Sequence, residues 1–138
     1  LIAFLLDSTR TKQLLDSCTL KIVPIPGPSA ATALASVAGI PMDKFLFLGY
    51  PPHKKGRKKF FEEVAQSAHP VVFYESPYRI IKSLTELRML VPDMSVVVGR
   101  ELTKKFETVY RGTLEQVVSA LQKGTPKGEF TVVVSKEK

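Results

Sequence analysis

Cysteine, histidine and tryptophan are scarce in this chain of 138 residues: one cysteine (Cys18), two histidines (His53 and His69) and no tryptophan. A lone cysteine cannot close an internal disulfide, which fits a reducing cytoplasm. The two histidines lie in a basic loop and just before an apolar run, so they give neither a metal-spaced cluster nor a Ser-His-acid triad. No metal is expected. Walker phosphate loops, G-x-G-x-x-G, H-E-x-x-H and calcium loops are all missing. No apolar stretch reaches the roughly 20 residues that a membrane-spanning helix needs. The opening LIAFLL is short, lacks a basic flank and meets Asp7 at once, so neither a signal peptide nor a membrane partner is expected. Internal repeats and low-complexity tracts are lacking too.

What is present is ordinary in bulk and uneven in detail. Hydrophobic residues make up 44% and charged residues 24%, enough for a real core in a single domain. The net charge of +7 is concentrated in HKKGRKK, His53 to Lys59. Without Lys54, Lys55, Arg57, Lys58 and Lys59 only +2 would remain, so the basicity is a local patch suited to an anionic partner. Cations at a helix start oppose the macrodipole, and phosphates would offset that cost. Tyr50 and Phe47 nearby could stack on a base or sugar.

Short apolar runs alternate with helical patterns along the chain. Lys21–Ile25 reads as a strand stopped by Pro26-Gly27-Pro28, after which Ser29 caps a helix to about Ala38. Phe45–Leu48 is a second strand and Arg57–Ser67 a helix with Phe60, Phe61, Val64 and Ala65 on one side. Val71, Val72 and Phe73 form a buried strand, and Ser76 and Pro77 open a helix that runs to about Leu90. Ser95–Val98 and Thr108–Arg111 are strands. Thr113 to Gln116 is a capping box for a helix ending near Gln122, and Phe130–Val134 is the last strand. These spans predict an α/β fold: one mixed sheet of about five strands flanked by helices. Residues 1–20 say little about it, and residues 21–138 form the domain. A chain that starts in mid-run at Leu1 is expected to be part of something longer.

One placement recurs. Pro28-Ser29, Glu75 and Glu101 each follow an apolar strand, and Glu129 precedes one that could run antiparallel. All four would then meet at one sheet edge, where α/β folds form ligand crevices and helix starts offer N–H groups. Ser29 and Ser76 could also be simple caps, and Arg100 and Lys104 could merely pair with Glu101.

Six ordered segments resemble one family: PIPGPSA (Pro24–Ala30), FLFLGYPPHKKGRK (Phe45–Lys58), FYESPYR (Phe73–Arg79), RELTKKFE (Arg100–Glu107), RGTLEQV (Arg111–Val117) and KGEFTVVV (Lys127–Val134). They are similar to the carboxyl-terminal domain of the bacterial ribosomal RNA small-subunit methyltransferase I family, within the tetrapyrrole methylase superfamily. The resemblance implies transfer of a methyl group from S-adenosylmethionine to a cytidine ribose 2′-oxygen of 16S ribosomal RNA. A cytoplasmic location is expected from the lone cysteine, and a homodimer from apolar edges left exposed. It places Pro28, Ser29, Ala30, Phe73, Tyr74, Gly128, Glu129 and Phe130 on the cofactor wall. It sets Lys54, Lys55, Arg57, Lys58, Lys59 and Arg79 against RNA phosphate. The family's amino-terminal domain carries an Asp-Pro-Gly cofactor loop that nothing here matches, so this chain alone is expected to be inactive.

A sulfonium methyl is already activated, and alignment of the attacking oxygen supplies most of the rate. A base for the ribose proton would help, with Glu75 or Glu101 as candidates and Lys104 as a stabiliser of developing negative charge. Two other readings stay open: a corrin or porphyrin C-methyltransferase domain, and a non-catalytic RNA-docking or dimerisation module.

Overall fold

The structure is a computed structural model that describes residues 23, 25–124 and 126–136. Among the described residues nine elements follow in order: α1 (Ala30–Val37), β1 (Leu46–Phe47), α2 (Arg57–Gln66), β2 (Val71–Glu75), α3 (Ile80–Leu90), β3 (Ser95–Arg100), β4 (Thr108–Thr113), α4 (Leu114–Gln122) and β5 (Phe130–Ser135). The sheet is mixed, with strand order β1-β2-β5-β3-β4. β1 lies parallel to β2, while β5 runs antiparallel between β2 and β3, and β4 runs antiparallel to β3. The carboxyl ends of β1, β2 and β3 therefore share one rim with the starts of β4 and β5.

Side chains alternate across the pleat, and that splits the core in two. Val71, Phe73, Val98 and Phe130 turn to a thick face covered by α2, α3 and α4. Val72, Val97 and Val133 turn to a thin face covered by α1. Ala31, Leu34 and Ala38 form the inward stripe of α1 and its C-cap, small enough to sit close on the sheet. Gly99 permits that approach: a Cβ there would stand 2.9 Å from Leu34 Cδ1 and 2.8 Å from Leu102 Cδ2. The three phenylalanines Phe61, Phe73 and Phe130 are fully buried on the thick face, each worth roughly 1.5–3 kcal/mol.

Several local expectations need correction. Of the strand expected over Lys21–Ile25, only Val23 and Ile25 are described; both are exposed and in no strand, and the other three lie outside the described residues. Ser29 stands at the N-cap of α1 in extended conformation but makes no side-chain cap bond. α3 begins at Ile80, not Pro77. Ser76 to Arg79 form a turn closed by Arg79 N–H donating to Ser76 O at 3.1 Å, with Pro77 at its second position, where proline's fixed φ belongs. The capping box of α4 is present, with Gln116 N–H donating to Thr113 Oγ1 and Thr113 N–H donating to Gln116 Oε1.

Candidate functional site at one rim of the sheet

The polar segments do gather at one rim. Glu75 pairs with Phe130 and Arg100 with Phe130, so the ends of β2 and β3 flank the start of β5. Glu101 N–H donates to Glu129 O at 3.0 Å, and Glu129 N–H donates to Glu101 Oε1 at 2.8 Å. Lys104 Nζ bridges Glu101 Oε1 and Glu129 Oε2, each at 3.0 Å. The direction of α1 brings Ser29 to the same side. Arg111 donates to Val37 O at its far end and Leu34 sits over Gly99, so the helix start points toward the rim.

The loop between β3 and β4 is held in an unusual shape. Glu101 has φ +49° and Thr103 φ +65°, the latter a position that a β-branched residue rarely adopts. Thr103 N–H donates to Glu107 Oε2 at 2.6 Å and Lys104 N–H to Glu101 O at 3.0 Å. Such local strain persists only where surrounding bonds fix it, and it is concentrated at functional sites. Gly128 belongs to the same design: its φ is +91°, and any Cβ would run into the Glu101 side chain. The Glu129 N–H and the Lys104 ammonium lower the Glu101 pKa, while the two carboxylates raise that of Lys104. Both are charged at neutral pH. A carboxylate whose pKa is lowered is a poor proton acceptor, which weakens the case for Glu101 as a base.

Glu75 is corrected more sharply. Strand alternation turns its side chain to the thick face, beneath α2 and α3, and it is 1% exposed. Oε1 accepts from Ser76 N–H at 2.7 Å and from Arg79 Nη2 at 3.0 Å. Oε2 accepts from Ser83 Oγ at 2.5 Å, with Arg57 Nη1 at 4.0 Å. A carboxylate so enclosed has no path to a ribose hydroxyl and is not placed to act as the base. Phe73 and Phe130, expected on the cofactor wall, put their rings in the core, leaving only their backbone for a ligand.

The cations divide as well. Lys54, Lys55, Lys58 and Lys59 are exposed, but Arg57 is buried, donating to Glu86 Oε2 at 2.8 Å, Ser83 Oγ at 2.8 Å and Pro52 O at 3.2 Å. Its guanidinium also lies 5.0 Å from the Phe61 ring centre. Arg79 is likewise committed to Glu75, Ser76 Oγ and Pro51 O. The surface patch is thus four lysines with His53. The two arginines serve the protein's own interior.

On the thin face at this rim stands an aromatic shelf that joins Tyr74 to the two rings expected to stack. Tyr74 lies 5.0 Å from Phe47 and 5.5 Å from Tyr50 between ring centres, and both outer rings are about half exposed. Partial burial, then the Glu129 carboxylate, raises the Tyr50 pKa, which keeps its hydroxyl protonated. Pro28, Ser29 and Ala30, at the start of α1, are exposed. A hollow of about 330 Å3 lies over Phe61, Met89 and Leu90, and one of about 230 Å3 lies on the thick face between Arg100, Tyr110, Phe130 and the end of α4. Among the described residues no group of three or more His, Cys, Asp or Glu could hold a metal ion, and no helix is long and apolar enough to cross a membrane.

Sequence reasoning missed Ser83, Glu86 and Tyr78. Ser83 had a signal, being a polar residue on the buried stripe of α3 with Ile80, Leu84 and Leu87.

The chain is 36% identical over 111 residues to ribosomal RNA small subunit methyltransferase I of Thermotoga maritima, covering 80% of this chain and 50% of that protein. The protein of the same name from Halalkalibacterium halodurans is 37% identical over 116 residues, covering 83% and 40%. The chain thus spans half or less of the length of these relatives. Among solved structures, the methyltransferase CobJ superposes with a TM-score of 0.67 at 18% identity, over 94% of this chain and 57% of that one. The cobalt precorrin-4 methyltransferase CbiF gives 0.66 at 16%, over 93% and 57%. Uroporphyrin-III C-methyl transferase from Thermus thermophilus, complexed with S-adenyl homocysteine, gives 0.53 at 17%, over 91% and 57%. These three share the fold. The family profile described as Tetrapyrrole (Corrin/Porphyrin) Methylases matches residues 7–118, most of the chain, and the chain belongs to that family.

Proposed function

We propose that this chain is the carboxyl-terminal half of an S-adenosylmethionine-dependent enzyme that methylates a cytidine ribose 2′-oxygen of small-subunit ribosomal RNA. The observation that carries the reading is the shared rim. The four-lysine patch follows β1, the aromatic shelf stands beside it, and the Glu101–Lys104–Glu129 cluster lies two strands further along. The names of the relatives from Thermotoga and Halalkalibacterium point to the same substrate.

The residues present suit this chain's share of a nucleoside-bearing cofactor. Phe47, Tyr50 and Tyr74 offer a stacking surface, Ser29 has a hydroxyl that does not cap its own helix, and the backbone around Gly128 and Glu129 lies at the same rim. S-adenosylmethionine, when bound, supplies an activated methyl group on sulfonium. Glu129, 80% exposed, can accept hydrogen bonds from a ligand hydroxyl, and the Lys104 ammonium beside it can steady negative charge developing on a ribose oxygen. Glu101 is tuned downward, away from neutral pH, so positioning carries more of the rate here than proton removal. The net change is a new carbon–oxygen bond, a broken carbon–sulfur bond and a proton released to solvent.

The amino-terminal half of the cofactor site lies outside the matched segments, and this chain alone is proposed to be inactive. A cytoplasmic homodimer without metal completes the reading. Methylation of a tetrapyrrole ring carbon is less suitable, since a macrocycle offers a few carboxylates where four lysines await a phosphate track.

The test is binding of the intact protein to small ribosomal subunits across a salt series. Replacing Lys54, Lys55, Lys58 and Lys59 together by glutamine should flatten the salt dependence by about 0.7–0.9 for each phosphate no longer neutralised. Unchanged binding and slope would remove the RNA reading, and methylation of a corrin or porphyrin by the intact protein would replace it.

A further inference from the structure

We infer that Glu75 is a positioning residue that locks the lysine loop and the Tyr78 turn into one preformed RNA-docking surface. The inference rests on the RNA reading above and adds how the surface is built.

Two arginines connect the buried acid to the surface. Arg79 pairs with Glu75 Oε1 at 3.0 Å and donates from Nη1 to Pro51 O at 3.3 Å. Arg57 approaches Glu75 Oε2 at 4.0 Å and donates from Nη1 to Pro52 O at 3.2 Å. Ser83 ties the two halves, donating to Glu75 Oε2 and accepting from Arg57 Nη2 at 2.8 Å. Two successive carbonyls between β1 and α2 are therefore gripped from beneath by guanidinium groups: Glu75 pairs with Arg79 directly and reaches Arg57, which Glu86 also holds at 2.8 Å, through Ser83. Those carbonyls lie between Tyr50, on the shelf, and His53, where the basic run begins.

The same arginine governs the turn after β2. Arg79 Nε donates to Ser76 Oγ at 3.2 Å, and Ser76 N–H donates to Glu75 Oε1. Tyr78 sits at the tip of that turn, 95% exposed. A tyrosine so exposed on a locked turn, one residue from an arginine that holds the lysine loop, suits stacking on an unpaired base while the lysines take phosphate. A loop already fixed gives up less freedom on binding, and affinity gains accordingly.

The test uses the intact protein with small ribosomal subunits and Glu75→Gln, which keeps the shape and removes the charge. The expected result is a KM for subunits raised at least fivefold. Turnover at saturating subunits and affinity for S-adenosylhomocysteine should stay within twofold, with faster amide exchange over residues 50–56. Arg79→Lys, which keeps the charge but cannot span both carbonyl and carboxylate, should shift the same KM by at least threefold and serves if Glu75→Gln does not fold. Tyr78→Ala should raise the KM without altering exchange. Lost turnover with unchanged KM would make Glu75 part of the chemistry and overturn the inference. Binding by the parent protein with KM and exchange unchanged in both Glu75→Gln and Arg79→Lys would overturn this inference alone. No binding by the parent protein would take the RNA reading with it.

Discussion

Glu75 and Glu129 lie at the same rim, one ending β2 and the other leading into its antiparallel neighbour β5, yet their side chains meet different surroundings. Glu75 ends β2 on the thick face and is enclosed by two arginines, a serine and a backbone N–H. Glu129 precedes β5 outside the sheet, mostly in solvent, with one lysine beside it. An acid at the end of an apolar strand is thus not one signal but two. The pleat decides whether it meets the core or the crevice.

The sharpest way to break this contrast is to remove each carboxylate in turn. Glu75→Ala takes from Arg79 its carboxylate partner and from Ser83 its acceptor, and loss of one partner from a buried network costs about 3–5 kcal/mol. Glu129→Ala removes an ion pair open to water and should leave the unfolding midpoint unchanged. Urea titration of both variants checks this. Equal midpoints would mean that Glu75 is less enclosed than its bonds indicate.

That contrast also explains what the sequence could and could not tell. The alternation of strands and helices, the α4 capping box and the gathering of Glu75, Glu101 and Glu129 at one edge were legible, because apolar period and turn residues encode them directly. The fate of Arg57 was not. It stands among four lysines of the same charge, and only the α3 register that brings Ser83 and Glu86 opposite separates it from them. The start of α3 was ambiguous because a serine followed by proline suits both a cap and a turn. Here the neighbouring carboxylate takes the Ser76 N–H and favours the turn. Phe73 and Phe130 were placed by family likeness on a wall that only their backbone can reach.

A smaller effect separates the exposed cluster from a chance surface pairing. Gly128→Ala puts a methyl group where the Glu101 side chain lies and forces alanine into φ near +91°. The strain should cost about 1–3 kcal/mol and loosen the Glu101–Glu129 link. Thermal unfolding should report the loss. Amide exchange at Glu129, whose N–H is held by Glu101, should quicken well beyond the global change. If exchange follows stability alone, the link is incidental.

The smallest effect is pH-dependent and turns on Glu101 and Lys104 together. Glu101 has a lowered pKa in the folded protein, first from the Glu129 N–H and then from Lys104. Its contribution is present above the ordinary carboxylate pKa of about 4.3 and is lost as pH falls through the lower folded value. Lys104 has a raised pKa, from Glu129 and Glu101. Its contribution is full below the ordinary lysine value of about 10.4 and fades as pH rises through the higher folded one. The difference in Tm between the parent protein and Glu101→Gln should therefore form a plateau from about pH 5 to 9, narrowing below about 4 and again above about 10.5. Water and salt reach both groups, so the plateau should be low and should shrink in molar salt. A plateau that closes only on the acid side would mean that Lys104 draws its hold from Glu129 alone, leaving Glu101 as a prop for the Glu129 backbone.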